Sequence, residues 1–78
     1  MSVTRENVVA ALQAAKANLD VAKLRDDLKL SDQGVDSLEI FNVLLALQEK
    51  YNIEIPDADI DGLETIHAFV EYLNKRSE

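Results

Sequence analysis

A serine, a run of alternating aspartates and a lone histidine are the side chains of this chain whose type and spacing could do chemistry. Ser37 stands directly after Gly34-Val35-Asp36, at the first position of an expected helix. A side chain there can face solvent while the rest of the helix packs. The unpaired N–H groups and positive dipole of a helix start favour a phosphate beside it, despite the neighbouring acids Asp36 and Glu39. The local pattern leaves two readings open: a serine that carries a phosphoester, or one that only helps to start a helix. Asp57-Ala58-Asp59-Ile60-Asp61-Gly62 follows the opening of a calcium loop. The twelfth position of such a loop must supply a bidentate Glu and is here Ala68. Its eighth position, normally apolar, is Glu64, and Pro56 stands where an incoming helix should end. No dedicated metal site is expected, only loose association of divalent cations with these acids. His67 sits one residue off an apolar stripe and reads as a half-exposed helix residue. A Ser37–His67 pair would lack the third group that orients the imidazole, so no catalytic residue is expected.

Composition narrows the field further. The 78 residues bound the chain to one domain, over residues 1–78. With 47% hydrophobic residues it is too apolar for a disordered tail. The absence of cysteine excludes a disulfide scaffold, Cys-ligated zinc and thiol catalysis. No Trp, two Phe and two Tyr imply an aliphatic core. The apolar run Val43–Leu47 is too short to span a bilayer, and the opening residues lack the pattern of a signal peptide. A soluble protein of the cytoplasm, a reducing compartment, is the expectation. Lys and Arg number 8 against 15 Asp and Glu, for a net charge of −7. That excess lies wholly in residues 36–78, which hold three bases and ten acids. Such a surface repels nucleic acid and anionic membranes and attracts basic protein surfaces, raising on-rate more than affinity. A solubilising face would carry the same charge.

Helices must position these groups, because only two Gly and one Pro interrupt the chain. The spacing predicts a first helix from Thr4, its N-cap, to Asn18, burying Val8, Leu12, Ala15 and Leu19. Residues 20–35 read as a long packed loop with one helical turn. Asp36 is the expected N-cap of a helix from Ser37 to Tyr51, and Glu39 completes a capping-box-like pair. Leu38, Ile40, Phe41, Leu44, Leu45 and Leu47 make that helix the expected most buried element. Ile53-Glu54-Ile55-Pro56 is extended, Asp57–Asp61 forms a short helix ended by Gly62, and Thr65 caps a last helix with Ile66, Phe69, Val70 and Leu73 on one face. The sum is all-α: a small four-helix bundle of three longer helices and one short one, with a long loop between the first two.

Gly34-Val35-Asp36-Ser37-Leu38 resembles the attachment motif of acyl carrier proteins. Leu47-Gln48-Glu49-Lys50-Tyr51-Asn52-Ile53-Glu54-Ile55-Pro56 and Thr65-Ile66 resemble the family's downstream segments in the same order. The resemblance implies the acyl-carrier bundle and a 4′-phosphopantetheine arm, taken from coenzyme A by a phosphopantetheinyl transferase and joined to Ser37. Asp36 and Leu38 flank that site. The arm would carry acyl groups as thioesters, the chain having neither thiol nor general base of its own. Partner enzymes with basic docking surfaces would meet the helix that starts at Ser37, through Asp36, Glu39, Phe41, Asn42, Gln48 and Glu49. Asn42 and Gln48 stand where the family commonly has Glu, Gln33 replaces a common Leu, and Phe41 is bulkier than usual. These departures leave the attachment site intact and leave both the main fatty-acid cycle and a dedicated pathway open. Leu45, Leu47, Ile55, Ile60, Leu63, Ile66 and Phe69 would surround an acyl-chain cavity between the second helix and the short one, or form the core alone.

The resulting expectation is a stand-alone, monomeric, non-catalytic carrier for fatty-acid- or polyketide-type synthesis. A peptidyl-carrier-like protein with aminoacyl or other specialised cargo is the alternative, as is a carrier-fold interaction domain without the arm.

Overall fold

A computed structural model describes residues 3–76; Met1 and Ser2, part of the opening segment read above, lie outside them. The described residues form four α-helices: α1 (Arg5–Ala15), α2 (Ser37–Tyr51), α3 (Asp57–Ile60) and α4 (Ile66–Arg76). Two 3-10 turns, Val21–Lys23 and Leu30–Gln33, punctuate the α1–α2 connection, where one turn was expected. The described residues contain no strand. None of their helices is long and apolar enough to cross a membrane.

Local capping fixes the helix starts. The Thr4 hydroxyl accepts the Asn7 N–H, and the Asn7 side chain accepts the Thr4 N–H, so two amides without helical partners are satisfied together. Thr65 Oγ1 accepts the Ala68 N–H at 3.0 Å at the start of α4. Asn52, left-handed at φ 53°, ends α2. α1 stops three residues before the expected Asn18. Lys16 is already extended, although Ala-Lys-Ala favours helix, so tertiary contacts override propensity here. Leu19 therefore reaches the core from a loop.

α1, α2 and α4 enclose the core. Val8 and Leu12 of α1 meet Val43, Leu44 and Leu47 of α2 and Ile66, Phe69 and Leu73 of α4, all buried. The core is aliphatic except for Phe69, its largest fully buried side chain. The long connection is sewn to α1, to α4 and to the loop before α4. Leu30 N–H donates to the Glu64 carbonyl at 2.8 Å, and His67 N–H to the Asp26 carbonyl at 3.1 Å. The Asp26 carboxylate holds Arg5 of α1. This lashing explains how the 21 residues between α1 and α2 (16–36) stay packed without a long helix, and it fixes the end of the connection that leads into Ser37.

Candidate functional site

The site begins at Gly34, the C-cap of the Leu30–Gln33 turn. Its φ of +89° is left-handed, a region where any side chain is strained, and its N–H bonds the carbonyls of Leu30 and Ser31. Val35 follows, buried, and its N–H donates to the Leu30 carbonyl at 3.1 Å. Gln33, unusual for its position, ties the same loop. Its amide nitrogen donates to the carbonyls of Arg25 and Leu28, and its oxygen accepts the Arg25 N–H at 2.7 Å.

Asp36 is extended and caps α2. Its Oδ1 accepts the Glu39 N–H at 2.9 Å, while Glu39 Oε1 accepts the Asp36 N–H at 3.0 Å. The other Glu39 oxygen, Oε2, lies 3.5 Å from Lys16 Nζ at the end of α1. Ser37 is the first residue of α2 and is exposed. Its hydroxyl makes no hydrogen bond to another described residue. The Ser37 and Leu38 amides have no intrahelical acceptor, since both fall in the first turn. A reachable hydroxyl beside unfilled donors at the positive end of a 15-residue helix suits a phosphodiester. The residues present therefore fit a phosphopantetheine group attached there.

The rest of the expected site divides. Leu38, Phe41 and Leu45 are 68%, 51% and 47% exposed, so α2 is not the most buried element, contrary to the expectation from its sequence. They recur at i, i+3 and i+7 and form one uncovered stripe running away from Ser37. No described element packs over that face, whereas α1 and α4 cover the others. Glu49 extends the stripe and is exposed, as is Asn42 on the side toward Ala11 and Ala15 of α1. Gln48 is turned inward: Oε1 accepts the Ile55 N–H at 2.9 Å and Nε2 donates to the Leu44 carbonyl at 3.2 Å. Its role is to tie α2 to the Ile53–Pro56 segment.

Of the expected cavity residues, Leu47, Ile66 and Phe69 are fully buried, Ile55 and Leu63 nearly so, and Ile60 partly. Leu45 stands apart from them on the surface. A cleft of about 370 Å³ borders α3 on its α4 side, lined by Ala58, Asp59, Leu63 and Tyr72 among others; Leu63 is the one expected cavity residue in it. The Tyr72 hydroxyl donates to Asp59 Oδ2 at 2.6 Å across this cleft. Burial foremost, and then the Asp59 bond and charge, push the Tyr72 phenol above its ordinary 10.0, against a lowering by Arg76. His67 pairs with Glu71 on its own helix at 3.0 Å. Among the described residues no cluster of three or more His, Asp or Glu could hold a metal ion.

Sequence reasoning missed Lys16. A cation 23 positions from its carboxylate leaves no periodic or motif signal; only the fold brings the two together.

The phosphopantetheine attachment site family matches residues 7–73. The acyl carrier protein of Helicobacter pylori (strain J99) is 33% identical over 66 residues, covering 83% of this chain and 85% of the relative. That of Clostridium perfringens (strain 13) is 41% identical over 49 residues, covering 63% of this chain. The match spans 64% of the length of that Clostridium relative. The solution structure of the hexanoyl acyl carrier protein from the actinorhodin polyketide synthase of Streptomyces coelicolor superposes with a TM-score of 0.85 at 22% identity, covering 99% and 93% of the two chains. That likeness concerns the fold.

Proposed function

Because the chain belongs to the phosphopantetheine attachment site family, a family of non-catalytic carriers, we propose that it acts as one carrier domain and holds acyl intermediates on an arm joined to Ser37. It presents them to enzymes of fatty-acid- or polyketide-type synthesis, as a monomer in the cytoplasm. The arm supplies a thiol for thioester linkage; everything else asked of the chain is positioning. Ser37 offers the hydroxyl to which a phosphopantetheinyl transferase moves the phosphopantetheinyl half of coenzyme A: the new O–P bond replaces the pyrophosphate link, the adenosine bisphosphate half leaves, and the transferase takes the hydroxyl proton. The amides of Ser37 and Leu38 and the dipole of α2 favour the resulting anion. The Asp36–Glu39 capping box holds the first turn of α2, so that the attachment point does not fray. With the arm anchored on a rigid helix end, a docked enzyme meets its substrate at a raised effective concentration.

The observation that carries this reading is the exposed Ser37 hydroxyl at the first position of α2, beside amides with no other acceptor. The stripe of Leu38, Phe41 and Leu45 next to it supports docking along the same helix. The neutral Asn42 and the bulky Phe41 favour a dedicated set of partners within that class. Leu47, Ile55, Ile60, Leu63, Ile66 and Phe69 line the route by which a cargo chain would enter the core as α3 moves.

Intact mass before and after incubation with coenzyme A and a permissive transferase tests the proposal. One phosphopantetheinyl unit is gained by the chain and none by Ser37→Ala. A folded, unmodified chain that gains nothing refutes it.

A further inference from the structure

Glu39 is the acid nearest to Ser37 after Asp36, and the fold leaves neither of its oxygens idle. Oε1 closes the capping box on the Asp36 N–H, and Oε2 faces the Lys16 ammonium at 3.5 Å. Side-chain exposures of 25% for Lys16 and 20% for Glu39 make this the most covered ion pair among the described residues. Lys16 is held where it is. Its N–H donates to the Leu12 carbonyl at 2.8 Å, its backbone is extended, and it sits at the negative end of α1, which favours a cation. The exposed remainder of α2 then holds an apolar stripe, Leu38, Phe41 and Leu45, with Asp36 and Glu49 at its ends and the exposed Asn42 and Lys50 beside it.

We propose that Lys16 is a specificity-determining residue of the docking face: it fills Glu39 from within, so that a basic partner finds that acid occupied and must seat on the apolar stripe or displace an internal cation. This rests on the carrier reading, in which partners dock along α2. The logic is competition. A partner's Arg or Lys gains from Glu39 only the difference between its own pairing and the pairing it breaks, and partly covered ion pairs of this kind exchange within a narrow range of free energy. An enzyme whose recognition rests on a cation at this position is therefore disfavoured, whereas one with an apolar socket for Phe41 is not. A positive selection and a rejection arise from the same two residues.

The test is the rate of arm attachment to the apo chain by a broad-specificity phosphopantetheinyl transferase with a basic docking surface, read as kcat/KM against NaCl. Lys16→Gln raises kcat/KM about two- to fivefold at low salt, the range set by one partly covered surface ion pair. The gain fades toward high salt, as screening of a surface charge requires. In a Glu39→Gln background, where the amide oxygen still accepts the Asp36 N–H, the same Lys16 substitution brings no gain. Lys75→Gln on α4, which alters net charge equally, brings none either. Because the expected effect is a gain, loss of folding cannot imitate it. The proposal is overturned by an unchanged rate in Lys16→Gln, by a gain that persists in the double variant, or by an equal gain from Lys75→Gln. Failure of every folded variant to accept the arm would overturn the carrier reading itself, and would be visible in the same mass spectra.

Discussion

Gln48 was read from the sequence as a docking position that had lost its charge, and in the structure its side chain also has an internal task. Its side chain bridges the last turns of α2 to the extended segment before α3, through the Ile55 N–H at 2.9 Å and the Leu44 carbonyl at 3.2 Å. Ile55 is 4% exposed, and the residue after it is Pro56, which has no N–H to share the work. The two bonds are not equal. The Leu44 carbonyl lies inside α2 and keeps its helical bond without Gln48. The Ile55 N–H has no second acceptor among the described residues. Gln48→Leu therefore strands one largely buried donor, at about 1–3 kcal/mol. Gln48→Glu keeps the acceptor and gives up only the donor to Leu44, at less than about 1 kcal/mol. A difference of ~1 kcal/mol corresponds to roughly 4–8 °C in a domain of this size. A loss of ~2 kcal/mol lowers a urea midpoint by about 1–2 M for a small protein. Urea unfolding followed by far-ultraviolet circular dichroism, on the chain and both variants, resolves such shifts. Hydrogen exchange at the Ile55 amide localises them: exchange speeds up in Gln48→Leu and stays near its original rate in Gln48→Glu. If the two variants unfold at the same midpoint, Gln48 is not the tie described here, and its effect on partners would again be a matter of charge alone.

Two further substitutions probe the frame of the site. Gly34→Ala costs about 1–2 kcal/mol through the left-handed backbone alone, because nothing lies within 4 Å of the added Cβ. Gly34→Asn, better suited to that conformation, loses less in a thermal melt, and equal losses would place the cost elsewhere. Tyr72→Phe removes the bond to Asp59 and speeds amide exchange across α3. The phenol's raised pKa, from burial first and Asp59 second, sets the sign of its pH effect. Stability is intact below pH 10, the unfolded value, and falls as pH climbs through the higher folded one. Tyr51, raised by burial, contributes in the same direction. Melts at about pH 8 and 11 should therefore show a smaller loss in Tyr72→Phe, and an undiminished loss would remove Tyr72 from the account.

Elements whose ends are written in adjacent residues were legible in the sequence. The Asp36–Glu39 pair is local, and α2 runs from Ser37 to Tyr51 as expected. Thr4 and Thr65 cap as their positions imply. What failed depends on distant partners. α1 stops at Ala15 although Ala-Lys-Ala favours helix, and nothing near Lys16 says that its side chain will meet Glu39 on another helix. Gln33 and Gln48 look like surface amides in the sequence, yet each satisfies a backbone group several residues away. The α2 stripe failed for another reason. A helix apolar around most of its circumference carries no periodic mark of which face its neighbours will cover. Leu44 and Leu45 are adjacent leucines, 2% and 47% exposed, and only the positions of α1 and α4 tell them apart.

That unclaimed face bears on how the proposed carrier would work. Burying a Leu or Phe side chain is worth about 1.5–3 kcal/mol, and folding leaves much of this unused at Leu38, Phe41 and Leu45. The unused surface is not scattered. It starts one residue after Ser37 and follows the same helix to Leu45, where Glu49 succeeds it. A carrier must bind each enzyme and then leave it, so a narrow stripe suits it better than a broad interface of permanent-complex size. Charge would add speed to the encounter more than strength to the complex. Glu39 is held by Lys16, Gln48 by Ile55 and Leu44, and Asn42 is neutral. On the carrier reading, the strongly acidic half of the chain then guides partners toward α2 from a distance, while short-range selection falls to the fit of Phe41 and its two leucine neighbours.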